Sequence, residues 1–299
     1  MKLAAIDIGS NAMRLLIGDV YEYEGKVQIS KSSLVRLPIR LGEDVFRNGK
    51  IGSLKYNDFL RGMEAFNTIK SIHKVEATRA CATSAMRNAE NGKQLAKEAL
   101  KKTGINIVII DGQKEAGIIL STFNLLNLNN DTPYLYIDVG GGSTEISLLI
   151  NGNAVVSKSF KLGTVRILAD KVKPKTFENL LDWIDEIKNK YHPKSAIGSG
   201  GNINRLVKIC DSASEDEVYI DSLRSIYNSM KNYSAKERMV KWELRADRAD
   251  VIVPAIKIYL NVIEHAGIDS IMVPKIGLAD GLLYNMYLDC KLDDVEKKS

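Results

Sequence analysis

The sequence predicts an α/β protein made of two related domains, each built on a mixed sheet. Three observations carry this expectation. The first is an internal echo: Ala4–Asn11 reads AAIDIGSN and Leu135–Gly142 reads LYIDVGGG, and Asp7 and Asp138 are separated by the same interval as Gly9 and Gly140. Each segment runs as a buried strand to an Asp and turns on glycine. Each then re-enters an apolar run, Leu15–Ile17 or Ile146–Ile150, which is the pattern of a β-hairpin. The second is the alternation of helical and strand-like segments elsewhere. The third is size: 299 residues, 45% hydrophobic and 26% charged, fill two ordinary domains and exclude a disordered chain or a disulfide-stapled miniprotein.

The elements follow in order. Asp58–Ile72 has helical periodicity, Val75–Cys81 reads as a strand and Gly92–Thr103 as a helix. Ile105–Ile110 is the near-continuous apolar run of a buried strand, and Glu115–Leu125 follows as a helix. The polar, turn-forming run Asn127–Thr132 marks the boundary, giving domains 1–126 and 127–299. In the second half Val155–Phe160 is a strand, Phe177–Lys190 a helix, Ala196–Gly198 a short strand before glycines and Asn202–Ile209 a helix. One long helix over Ala246–Glu264 and another over Leu278–Leu288 complete the reading.

Cys81, Cys210 and Cys290 are far apart, with neither CxxC spacing nor a disulfide framework. No apolar run reaches the roughly 18 residues of a membrane helix, and Asp7 interrupts the apolar N-terminus, which lacks a signal-peptide layout. These features predict a reducing, cytoplasmic location without membrane association. The net charge of +5 permits an anionic partner without requiring one. Residues 153–210 hold eleven Lys/Arg against five Asp/Glu, which fits either a solvated helical surface or a basic track for a polyanion.

Chemistry concentrates at the turns. An unpaired carboxylate at the end of a buried strand is costly, so Asp7 is expected to be paired or held near a metal. Ser10 and Asn11 follow on a turn where backbone N–H groups can approach a phosphate. In the second echo, Gly140, Gly141 and Gly142 precede Ser143, Thr144 and Glu145. Three consecutive glycines lose backbone entropy and contribute no packing, so their presence points to a close ligand. No Gly-Lys-Ser/Thr follows, so this is not a Walker A loop. Asp138 and Glu145 would flank the turn, and two carboxylates with phosphate oxygens and water suit Mg²⁺. Ala196–Asn202 (AIGSGGN) is a third strand–glycine-turn–helix, fit to hold a phosphate at a helix start.

Taken together, these segments resemble the exopolyphosphatase/guanosine pentaphosphate phosphohydrolase (Ppx/GppA) family of the sugar kinase, Hsp70 and actin-like superfamily. The matching pieces are IDIGSNAMRLLI at Ile6–Ile17, ATSAMRNAEN at Ala82–Asn91 and KEA at Lys114–Ala116. They continue with IDVGGGSTEISL at Ile137–Leu148, IGSGGNINRL at Ile197–Leu206, RADVIVPA at Arg248–Ala255 and GLADGLL at Gly277–Leu283. The resemblance is collinear over essentially the whole chain and matches the short, two-domain form.

It implies two RNase H-like (actin-like ATPase) domains with an interdomain cleft, the last helix, about residues 280–299, packing back on the first domain. It implies Glu115 as catalytic base and Arg87 as an arginine reaching the reacting phosphate. Ser10, Asn11, Gly140, Gly141, Gly142, Ser143 and Arg248 become phosphate or substrate contacts, and Asp138, Glu145 and Asp7 the Mg²⁺-associated carboxylates. The implied reaction is Mg²⁺-dependent release of orthophosphate from polyphosphate, and of the 5′-terminal phosphate of pppGpp, by a homodimer that binds no DNA. The alternatives are a non-catalytic (p)ppGpp or nucleotide sensor and, ranked below it, a kinase of the same superfamily. The chain departs from the family pattern at Lys114, where an acid is usual, at Asn202 for Thr, and at Ala279-Asp280 for Arg-Glu.

Overall fold

The computed structural model describes residues 1–126, 128–129, 132–210 and 216–296. They divide into two compact units, Met1–Asn127 with Gly277–Ser299, and Leu128–Ile276. The polar run Asn127–Thr132 contains the division; its residues 127, 130 and 131 lie outside the described residues.

Unit 1 begins with β1 (Lys2–Ile8), β2 (Met13–Tyr23) and β3 (Lys26–Leu37), then α1 (Leu41–Asn48) and α2 (Ser53–Ile72). It continues with β4 (Ala77–Ala82), α3 (Ser84–Asn88), α4 (Gly92–Thr103), β5 (Ile107–Ile109) and α5 (Gly112–Leu120). The sheet order is β3-β2-β1-β4-β5. The first three strands are antiparallel neighbours, whereas β4 and β5 run parallel to β1. Leu3, Ala4, Ala5, Ile6 and Ile8 of β1 are all buried, as a strand covered on both faces must be. Phe59, Met63 and Phe66 of α2 recur at helical spacing and are fully buried, each contributing about 1.5–3 kcal/mol by leaving water.

Unit 2 contains β6 (Tyr134–Val139), β7 (Thr144–Ile150), β8 (Asn153–Phe160), α6 (Thr164–Leu168), α7 (Lys175–Tyr191) and β9 (Ser195–Ser199). It continues with α8 (Ile203–Ile209), β10 (Glu217–Tyr219), α9 (Ile220–Met230), α10 (Ala235–Lys241), α11 (Ala246–Ala249), α12 (Ile252–Ala266) and β11 (Ser270–Met272). Its sheet order is β10-β11-β9-β6-β7-β8. Strand for strand this repeats unit 1, with β6, β9 and β11 parallel, β7 and β8 antiparallel, and β10 added at the edge. Both sheets therefore have the strand order and directions of RNase H-like domains. The core joins Leu135, Ile137 and Leu148 of the sheet to Leu180 and Ile184 of α7 and to Ile256, Tyr259 and Ile263 of α12. The chain ends with α13 (Leu278–Glu296), which packs on α5, β1 and β2 in unit 1.

Several elements differ from the sequence reading. The helix expected over Ala246–Glu264 is two helices, α11 and α12, interrupted at Asp250-Val251. Pro254 explains the break: its ring excludes a helical carbonyl at residue 250, yet it fits in the first turn of a new helix. The helix expected over Glu115–Leu125 ends as α at Leu120 and tightens to a 3-10 turn over Ser121–Leu125. There Ser121 and Thr122 hydroxyls donate back to the carbonyls of Ile118 and Ile119. Strand β3 escapes the pattern because it is an edge strand of mixed polar and apolar residues, none of them buried.

Candidate active site

In unit 1 the site residues gather at the C-terminal ends of β1, β4 and β5. The Gly9 N–H donates to the Ala12 carbonyl at 3.0 Å and closes the β1–β2 turn. That turn is tied to α1: the Ser10 carbonyl accepts from Gly42 N–H (2.8 Å) and the Asn11 carbonyl from Arg40 N–H (3.1 Å). Ser10 is buried, and its Oγ has no hydrogen-bond partner among the described residues. A buried hydroxyl left so is costly, and a water or a ligand oxygen would satisfy it.

Arg40 holds a left-handed backbone, φ 57°, and pairs with Glu43 at 2.5 Å. Lys55 joins the Arg40 carbonyl, Glu43 and Asp44. Burial works to raise the Glu43 carboxyl, but Lys55 and Arg40 outweigh it and hold it below the ordinary value.

Asp7 is buried and paired. It stands directly across the hairpin from Arg14, whose Nη1 donates to Asp7 Oδ2 at 2.5 Å. Arg14 was assigned no role from sequence, although it lies inside the quoted IDIGSNAMR segment. Glu115 is in the first turn of α5, a helix capped by Asp111, whose side chain accepts from Lys114 N–H at 2.8 Å. Arg87 donates from Nη1 to the Ile110 carbonyl at 2.5 Å, fixing the strand-to-helix passage just before that cap. The contact found for Arg87 is thus with backbone that positions Glu115. Cys81 lies beside Asp7 in register on β4. Burial pushes its thiol up to about 11, aided by the charge of Asp7 and, more weakly, of Glu115, against Lys114 and Arg79. Asp7 and Glu115 are therefore both within electrostatic reach of one strand-end position.

In unit 2 the same turn recurs. Gly140 N–H donates to the Ser143 carbonyl at 3.0 Å, the counterpart in the second echo of the Gly9–Ala12 bond. The glycine carbonyls face α6: Gly140 O accepts from Thr164 N–H, Gly141 O from Val165 N–H and Gly142 O from Arg166 Nε. Gly163 makes this possible. A Cβ there would lie 2.5 Å from both Gly141 C and O, and closer still to Gly142 C. Gly163→Ala should therefore displace the glycine turn and cost about 2–3 kcal/mol. An unchanged thermal midpoint would show that the turn yields freely.

Asp138 and Glu145 are directly opposite in the β6–β7 register, so their side chains share one face of the sheet. Glu145 is buried and accepts from Ser159 Oγ at 2.7 Å. The third glycine turn closes on Asp138. Gly200 has φ +97°, and a Cβ there would sit 2.8 Å from Asp138 Oδ1. Gly201 lies under the Arg248 guanidinium, and Arg248 Nη1 donates to Asn202 Oδ1 at 2.8 Å. The Asn that departs from the family pattern thus holds the arginine. Beneath Asp138, Tyr136 bonds Ser199 Oγ at 2.6 Å and Tyr259 donates to the Ser199 carbonyl at 2.8 Å. Burial first, then the Asp138 charge, drives both phenols well above their ordinary value, so both stay neutral. The sequence offered no signal for these tyrosines beyond their apolar setting.

Among the described residues no group of three His, Cys, Asp or Glu side chains could hold a metal ion. The Asp138–Glu145 pair nevertheless fits a hard cation that takes its remaining ligands from water and phosphate oxygens.

The model of the Ppx/GppA phosphatase family matches residues 29–290. The chain belongs to that family. It is 25% identical over 309 aligned positions to a guanosine-5′-triphosphate,3′-diphosphate pyrophosphatase of Photobacterium profundum, covering 99% of this chain and 61% of the relative. It therefore spans less than two thirds of that relative's length. To exopolyphosphatase 1 of Mycobacterium bovis it is 22% identical, covering 98% of this chain and 90% of the relative. The crystal structure of an exopolyphosphatase from Cytophaga hutchinsonii superposes with a TM-score of 0.83 at 21% identity, over 96% of this chain and 97% of that one. For this Ppx/GppA member, that likeness bears on the fold. Among the described residues no helix is long and apolar enough to cross a membrane.

Proposed function

We propose that this Ppx/GppA phosphatase hydrolyses terminal phosphoanhydride bonds, releasing orthophosphate from inorganic polyphosphate and the 5′-terminal phosphate from pppGpp. The observation that carries this reading is the carboxylate pair Asp138–Glu145 beside a glycine turn. Two carboxylates directly opposite on one strand pair repel each other, and a cation bound by both would relieve that repulsion. Relatives named for each of the two substrates support the substrate class.

In this reading Asp138 and Glu145 hold Mg²⁺, whose chemistry is to neutralise charge on phosphate oxygens. Glu115 accepts a proton from the attacking water and orients it. The turn at Ser10-Asn11 and the turn Gly140–Ser143 supply N–H groups and hydroxyls to phosphate oxygens. Asn202 holds Arg248 for the anion, and Arg87 keeps the start of α5, and with it Glu115, in place.

The test is orthophosphate release from long-chain polyphosphate and from pppGpp, each with Mg²⁺ and with EDTA. Mg²⁺-dependent release from polyphosphate supports the first activity, and release from pppGpp the second. Tight nucleotide binding with no release from either would replace this reading with that of a nucleotide sensor.

A further inference from the structure

The repeat lets the two sheets be compared at the point where their central strands part. In unit 1 the β1–β4 ladder runs on past the acid. Asp7 pairs with Cys81, Ile8 with Ala82, and the Thr83 N–H then donates to the Ile8 carbonyl at 3.0 Å. In unit 2 the β6–β9 ladder stops at the acid, with Asp138 and Ser199 as its last pair. Val139 and Gly200, which stand where Ile8 and Ala82 do, form no further pair. Each leads into a glycine turn instead, Gly140–Ser143 after β6 and Gly200-Gly201 after β9. Another backbone rung would hold the strands about 4.8 Å apart at that level, so ending the ladder early lets the two turns separate.

A side chain takes the place of the missing rung. Tyr259 of α12 is fully buried, and its hydroxyl donates to the Ser199 carbonyl at 2.8 Å and also engages the main chain of Val139. One phenol thus meets the residue just before each turn. Tyr136 of β6, equally buried, holds the other side of Ser199, with 2.6 Å between its hydroxyl and Ser199 Oγ. Gly200 comes next, its backbone so near Asp138 that a Cβ would lie 2.8 Å from Oδ1. A buried phenol hydroxyl is costly unless it is bonded, and phenylalanine would fill the same space without that cost. Two such phenols converge on one serine, at a level where unit 1 uses backbone alone. We infer that Tyr259, backed by Tyr136, is a positioning residue: it fixes the separation of the Gly140–Ser143 and Gly200-Gly201 turns and keeps Asp138 in place beside the second. This rests on the proposed reading that Asp138 and these turns receive a cation and a phosphate. The tyrosines themselves touch neither ligand; they act through Ser199, Gly200 and Val139.

The test compares Tyr259→Phe, which keeps the ring and removes the hydroxyl, with Ile263→Val, one turn further along α12 in the same core. Each should lower the thermal midpoint by about 2–5 °C, so the pair is matched in stability. Hydrogen–deuterium exchange of the full chain is then followed by mass spectrometry without added ligand. Tyr259→Phe should speed exchange about fivefold or more at both glycine turns and leave the middle of β7 within about twofold. Tyr136→Phe should speed it at the Gly200-Gly201 turn alone, since its partner is the Ser199 side chain. Ile263→Val should leave both turns as in the wild type. Binding of Mn²⁺, standing for Mg²⁺, is measured by electron paramagnetic resonance. Tyr259→Phe should weaken it about tenfold, as loss of an outer support of a ligating group does, and Ile263→Val should leave it within about twofold. Wild-type exchange at both turns in Tyr259→Phe would overturn the inference. So would equal effects of Tyr259→Phe and Ile263→Val, or faster exchange with unchanged Mn²⁺ affinity, because each reduces the tyrosine to ordinary core. Should Tyr259→Phe fail to fold, Tyr136→Phe decides by the same two readouts at the second turn. A wild type that binds no Mn²⁺ would instead sink the Mg²⁺ reading, and the exchange rates alone would then decide whether Tyr259 holds the turns.

Discussion

Glu115→Gln should lower kcat for orthophosphate release by at least about 10²-fold while leaving KM within about threefold. The substitution keeps the size of the side chain and removes its ability to accept a proton. Structural cost should be small. Glu115 lies in the first turn of α5, and loss of its favourable interaction with the helix dipole is worth about 0.3–1 kcal/mol. The turn itself is held by other groups, the Asp111 cap on Lys114 N–H and Arg87 on the Ile110 carbonyl. A thermal midpoint close to wild type with a collapsed kcat is therefore the expected pair of results. A rate near wild type would remove Glu115 as the base.

Gly281→Ala should destabilise the protein by about 3 kcal/mol, a fall of roughly 6–10 °C in thermal midpoint. In α13 a Cβ at residue 281 would lie 2.7 Å from the Ile118 carbonyl carbon and closer still to its oxygen, an overlap that no atom pair tolerates. Alanine is the better helix former by about 1 kcal/mol, so propensity alone predicts a gain. The clash is with backbone of α5, which cannot rotate away, and it decides the sign. Ile118 is one turn beyond Glu115. Displacement of α5 should therefore lower kcat as well, and more than it raises KM. A stabilised Gly281→Ala protein would mean that α13 does not seat on α5 as described.

Much of this was legible in the sequence because the signals were local. The two hairpins announced themselves through a buried strand, an acid and glycine, and their echo is reproduced by the Gly9–Ala12 and Gly140–Ser143 bonds. Asp138 and Glu145 could be placed together because a hairpin leaves little choice of register. What escaped depends on contacts remote in sequence. Tyr136, Ser199 and Tyr259 are far apart in the chain and meet only through the sheet and α12. Gly163 carries no motif, and its reason is the backbone of the Gly141-Gly142 turn, from which β7 and β8 separate it in the chain. Asp280 was read as a departure from the family pattern. Its carboxylate accepts from Gly277 N–H at 3.0 Å and pairs with Lys31 at 2.6 Å, so it anchors the start of α13.

The return of α13, Leu278–Glu296, to unit 1 makes unit 2 an insertion within it, and this sets the order in which the molecule can fold. During synthesis domains fold largely as units while the chain emerges. Unit 2 is contiguous and can close as soon as Ile276 has been made. Unit 1, begun first, waits for α13 to cover β1, β2 and α5, and so finishes last. Until then the parts of β1, β2 and α5 that α13 covers stay open to solvent.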